Sequence, residues 1–124
     1  MPRPSVVTLR WQRFASFIEA RSAFARTACI YVQVDRAARP VRVGMASRGL
    51  EARYRGGMGW ALEAAMHEAG NVVFVAPVAE EACAAIEATL IWTHRDVLTY
   101  NQQGKRQPPG SLVRVRHAGT SPAW

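Results

Sequence analysis

With 124 residues the chain fits one compact domain, long enough to bury a core and too short for two independent ones. Its hydrophobic share of 49% is ordinary for a globular protein. No uninterrupted apolar run approaches bilayer length and the leading MPRPSVV lacks the apolar centre of a secretory signal, so the expectation is a cytoplasmic protein with no membrane partner.

The net charge is +7, and fifteen of the sixteen basic residues are arginine, the side chain whose planar fork suits phosphate. The charge is also segregated. Residues 1–55 carry eleven arginines against Glu19, Asp35 and Glu51, whereas residues 56–94 hold five glutamates and no Lys or Arg, and the basic excess returns from Arg95 onward. Such a distribution predicts one basic face, the footprint of a polyanion binder. Nucleotide composition alone can favour arginine over lysine; it does not account for the segregation. Cys29 and Cys83 stand in no metal-binding spacing and fall within apolar segments, which reads as buried, reduced thiols.

Residues 1–27 read as a basic lead-in that packs on the core. Val6 to Trp11 fits either a short strand or the start of a helix. Ser16-x-x-Glu19 is a capping box, and Phe14, Phe17, Ile18 and Phe24 would cover one side of the helix behind it, with Arg10, Arg13, Arg21 and Arg26 pointing outward. The β-branched run Cys29 to Asp35 predicts a strand with neighbours on both faces. A second strand, Val41 to Ala46, should begin beside Pro40, because proline is excluded from the interior of a ladder. Ser47 offers an N-cap for a short helix carrying Leu50 and Arg53, ended by Gly56-Gly57. Met58 to Ala69 predicts another helix. The continuous apolar run between Asn71 and Val78 predicts a strand covered on both sides, ended by Pro77. Ala79-Glu80-Glu81 opens the clearest helix, with Ala82, Ile86, Leu90 and Thr93 as its apolar stripe and fraying expected near His94 to Asp96. Residues 101–110 are turn-forming. Leu112 to His117 alternates Val113 and Val115 with Arg114 and Arg116, an edge strand with a basic outer face, and residues 119–124 form a tail on which Trp124 can dock.

Ile30-Tyr31, then Val43-Gly44, then Leu50-x-x-Arg53, then Glu87 in a later helix and Asn101 beyond it, resemble in order and spacing the GIY-YIG nuclease domain. The resemblance covers residues 28–105, leaving 106–124 as a C-terminal edge strand and tail. It implies an α+β domain with a small three-stranded antiparallel sheet flanked by helices. It also implies an endonuclease that hydrolyses phosphodiester bonds of DNA with Mg²⁺ or Mn²⁺. Glu87 would hold the metal, Arg53 the scissile phosphate, Tyr31 the attacking water, and Asn101 the architecture of the site. Arg42, Arg48, Arg55 and Lys105 would add contacts to the nucleic acid.

Each residue also has a plainer reading. Glu87 borders the buried stripe of its helix, where a carboxylate is seldom left unpaired, and it would serve as a structural partner for an arginine. Tyr31 would be a packed strand residue, Asn101 a turn residue and Arg53 a surface charge. Two positions depart from the family pattern. Arg42 stands where a second tyrosine is expected, and Gly57 where a tyrosine or histidine follows the helix arginine; Tyr54 and His67 are the nearest substitutes. An arginine does not act as a base at neutral pH. Loss of both groups with the arginines kept is the pattern of a domain that binds nucleic acid without cutting it, which is the alternative function. A protein-interaction module is a third class, with no specific support. The sequence shows no oligomer interface.

Overall fold

The computed structural model describes residues 6–53, 72–101 and 104–124. A hairpin joins β2 (Cys29–Val34) and β3 (Pro40–Ala46). Asp35 specifies the reversal between them: Oδ1 accepts the N–H groups of Ala37 and Arg39, both at 2.9 Å, and Oδ2 accepts Arg39 Nε at 3.0 Å. These donors, the Arg39 N–H first, hold its carboxyl below the usual carboxylate range. Pro40 sits at the first position of β3, as its missing N–H requires.

The sheet has five strands in the order β3-β2-β4-β1-β5, with β1 at Val6–Phe14, β4 at Val73–Pro77 and β5 at Arg114–Gly119. This corrects the expected three-stranded antiparallel sheet. The β3-β2-β4 part is antiparallel, but β1 joins it by pairing Gln12 to Phe14 with β4, and β5 then adds in parallel to β1. Val6 to Trp11 is therefore strand, inside the sheet and not a flanking lead-in. The β5 strand lies at the sheet edge as expected, beginning two residues later than its predicted start.

Helix α1 (Phe17–Ala23) is capped as its box predicts, Ser16 Oγ accepting the Glu19 N–H at 3.2 Å. Phe17 and Phe24 are buried and Phe14 half-buried, whereas Ile18 is 78% exposed and does not join them. Helix α2 (Leu50–Arg53) starts at Gly49 and not Ser47: the Arg53 N–H bonds to the Gly49 carbonyl, and the Leu50 and Glu51 N–H groups bond to the carbonyls of Phe24 and Ala25. Gly49 has φ +98°, and a Cβ there would strike the Ala25 carbonyl. The predicted end of this helix at Gly56-Gly57 and the helix over 58–69 lie outside the described residues.

Val73 to Ala76 are all buried, the two-sided cover their continuous run predicts. A 3₁₀ turn, Glu80–Ala82, leads into α3 (Cys83–Thr93). Its buried residues include Ile86 and Leu90, but Thr89 replaces the exposed Thr93 of the predicted stripe, its Oγ1 accepting the Val113 N–H at 2.9 Å. Two cores result. Leu9, Trp11, Ile30, Val32, Val43 and Phe74 pack with Ile86 and Leu90 of α3 on one face. On the other, Cys29, Tyr31, Val73 and Val75 pack with Phe17 and Ala20 of α1 and Leu50 of α2.

Both cysteines are buried and free, and burial pushes the Cys29 thiol up to about 12. Trp124 docks, stacked on His94 with centroids 4.1 Å apart and edge-on to Trp11 at 6.2 Å, while Trp11 Nε1 donates to His117 Nδ1 at 2.9 Å. No described helix is long and apolar enough to cross a membrane.

Leu9 is fully buried on the strand that sequence patterning left undecided. Leu9→Ala is expected to cost about 2–5 kcal/mol in denaturant unfolding, while Ile18→Ala stays within about 0.5 kcal/mol of the parent.

Candidate functional site at the edge of the sheet

β3 is an edge strand, so alternate residues turn their backbone groups outward with no neighbouring strand to receive them. Three different groups close this edge in sequence. The Tyr100 N–H bonds to the Val41 carbonyl at 2.9 Å. The Asn101 side-chain amide brackets Val43, Oδ1 accepting its N–H at 2.8 Å and Nδ2 donating to its carbonyl at 2.9 Å. The third is the Glu87 carboxylate, which the Met45 N–H approaches and whose charged form it favours.

Beside this edge lies a cleft of about 380 Å³ lined by Tyr31, Arg42, Arg48, Arg53 and Glu87, with Gly44 to Ser47 and Ala52 completing its wall. The lining comes from both faces of the sheet. Tyr31 and Arg42 belong to the face covered by α1 and α2, and Glu87 reaches round the edge from α3. The Tyr31 ring lies over Gly44, where any Cβ would collide with it. Its Oη accepts a hydrogen bond from Arg42 Nη1 at 3.0 Å, and the guanidinium carbon stands 5.7 Å from the ring centroid. Tyr31 is only 1% exposed. It forms the floor of the cleft and holds Arg42, so a water contact from its hydroxyl has little room.

Glu87 is half-buried. Desolvation raises its carboxyl above the usual carboxylate range, and the charges of Arg42 and Arg53 and the Met45 N–H oppose that rise. One carboxylate flanked by two guanidiniums suits either a phosphate shared with a hydrated cation or an ion-pair network. Among the described residues no three His, Cys, Asp or Glu side chains gather as a metal site. A single carboxylate still fits Mg²⁺, which keeps most of its waters and takes further oxygens from a substrate phosphate.

Of the residues singled out from sequence, Tyr31, Arg42, Arg48, Arg53 and Glu87 meet in this cleft. Asn101 does not line it and acts one step away, through Val43. Lys105 is absent from it too: its Nζ donates to the Leu98 carbonyl and ties down a loop. Arg55, Tyr54, Gly57 and His67 lie outside the described residues. Sequence reasoning missed the Met45 N–H, which has no sequence signature, and the steric reason for Gly44. A larger cavity of about 650 Å³, between the β2–β3 turn and the C-terminus, is lined by Asp35, Arg39, Val41, Tyr100 and Trp124 among others. Its Asp35 is already taken by Arg39, so the smaller cleft holds the denser set of converging charges.

Comparison with family models, with curated proteins and with solved structures gives no match to this chain.

Two tests address the geometry. Asn101→Ala removes both hydrogen bonds to Val43 and is expected to cost about 1–3 kcal/mol, with faster amide exchange at Val43 read by NMR. The raised folded-state pKa of Glu87 means that the native state binds more protons than the unfolded chain between the two values, so stability falls as pH rises through that window. Glu87→Gln should accordingly melt above the parent at pH 7. That difference should vanish in acid below the ordinary carboxylate range.

Proposed function

We propose that the chain is a metal-dependent nuclease of the GIY-YIG kind, hydrolysing phosphodiester bonds of DNA in the cleft beside β3. One observation carries this reading: Tyr31, Arg42, Arg53 and Glu87, spread over 57 positions of the sequence on β2, β3, α2 and α3, line a single cleft. The segregated positive charge supports it, because a polyanionic substrate is drawn to such a surface.

Each residue then has a part. Arg53 and Arg42 present N–H donors to the non-bridging oxygens of the phosphate, which gain charge as water adds to phosphorus and the ester P–O bond breaks. Tyr31 keeps Arg42 aimed into the cleft. Glu87 would hold Mg²⁺ or Mn²⁺, which supplies positive charge to the phosphoryl and leaving oxygens when bound. The Met45 N–H fixes the Glu87 carboxylate, and Asn101 fixes the strand from which that N–H projects.

A second reading rests on the Arg42–Tyr31 bond. The hydroxyl that would orient water is engaged by a guanidinium at 3.0 Å, and Arg42 and Arg53 already balance part of the Glu87 charge. A cleft of this kind binds a phosphate backbone without cutting it.

Supercoiled plasmid separates the two. Nicking in Mg²⁺ or Mn²⁺ that disappears with EDTA and with Glu87→Gln, and falls about 10²–10³-fold with Arg53→Ala, supports the enzyme. Salt-steep DNA binding with no nicking in either metal supports the binder. No DNA binding at all removes both.

A further inference from the structure

The far side of the sheet carries a second set of arginines. Along β1, Thr8 and Arg10 face one way while Leu9 and Trp11 face the core beneath α3. The parallel register Val6↔Arg114, Thr8↔Arg116, Arg10↔Ala118 puts Arg114 and Arg116 on the same face as Arg10. All three arginines are exposed, as are Val6 and Gln12, and α1 covers this face only further along, over Tyr31, Val73 and Val75. Among the described residues no carboxylate pairs with Arg10, Arg114 or Arg116.

We propose that this β1–β5 face is a second contact surface for the phosphate backbone of nucleic acid, separate from the cleft. The inference rests on the reading that the chain binds nucleic acid, and it extends the binding footprint to the opposite edge of the sheet. Arg114 and Arg116 stand about 6.6 Å apart along their strand, and Arg10 lies on the neighbouring strand two residues beyond the partner of Arg116, so each fork can take a different phosphate. Thr8, opposite Arg116, and Gln12, two residues beyond Arg10, add neutral donors. The face presents Val6, Thr8, Arg10, Gln12, Arg114 and Arg116, with no aromatic side chain among them that would seat it in a bilayer surface. It is the same face that carries Tyr31 and Arg42, through the register Tyr31↔Val75↔Gln12. The two edges are four strand spacings apart, about 19 Å, so one long strand or duplex can engage both.

The test is fluorescence anisotropy with a labelled duplex of about 30 base pairs, some 100 Å long at about 3.4 Å per pair. Salt titrations compare the parent with R114Q/R116Q and with R26Q/R106Q, a control that removes equal charge at exposed positions elsewhere. Thermal melts verify that both variants fold. The expected result for R114Q/R116Q is a slope of log K against log salt shallower by about 2, since each phosphate contact contributes about 0.9. Affinity at low salt should fall at least about tenfold, and the control should change by less than half as much. Equal losses in the two double variants, or none in either, would overturn the proposal while leaving nucleic-acid binding in place. A parent that binds no duplex overturns the underlying reading as well. Loss of binding to phosphatidylserine vesicles without loss of duplex binding would reassign the face to a membrane surface.

Discussion

Closure of the β3 edge is the constraint on which the site depends. An exposed edge strand presents unmet backbone donors and acceptors, which invite pairing with another chain. Here the edge is closed by a loop N–H at Val41, a side-chain amide at Val43 and a carboxylate at Met45. Asn101 imitates the backbone of a missing neighbour, offering one donor and one acceptor to a single residue. Because these partners are not a continuous strand, the edge is satisfied without being covered along its whole length. The uncovered part, from Gly44 to Ser47, is where the cleft opens.

The same closure explains the electrostatics of Glu87. A carboxylate placed to receive the Met45 N–H must sit against the buried stripe of α3, between Ile86 and Leu90, and loses water there. The two arginines offset part of that loss and do not reverse it, since the net shift remains upward. The charged form of Glu87 is held at a cost, in a cleft and beside two guanidiniums, and this is why the proposed function turns on it. That form gains from any ligand that brings further positive charge, and loses part of its compensation where an anion engages the guanidiniums.

How much of this could be read in advance follows from how local each signal is. The Ser16 cap, the buried run of β4 and the basic alternation of β5 are written in consecutive residues, and the structure contains them; the Asp35 turn is local too, yet position 35 reads from sequence as the end of a strand. The exposure of Ile18 is not legible because α1, seven residues long, offers too few positions to fix which side faces the core; Thr93 is the last residue of α3, and Thr89, one turn earlier, takes the buried place. The sheet was underestimated for a different reason. β1 and β5 come together across almost the full chain, as the Trp11–His117 bond separated by 106 positions shows, and no local pattern encodes such a pairing. Lys105 misled because positive charge was read as a phosphate contact where an unmet loop carbonyl needed a donor. Ser47 lost its capping role to Gly49, whose positive φ and close approach to Ala25 leave room for no side chain.

The cleft also shows what an arginine at position 42, facing Tyr31, does physically. Two strand tyrosines facing each other would give two neutral hydroxyls, each able to donate and accept. An arginine facing Tyr31 gives one hydroxyl whose lone pair is occupied and one cation that stays charged at any ordinary pH. Compared with a tyrosine pair, such an arrangement offers less capacity for proton transfer and a stronger grip on anions. Gly44 makes it geometrically feasible, because the Tyr31 ring can lie flat on the strand and carry its hydroxyl within 3.0 Å of the guanidinium. Among the described residues that line this cleft, Glu87 is the one carboxylate, so on the proposed reading the balance between cutting and holding turns on it.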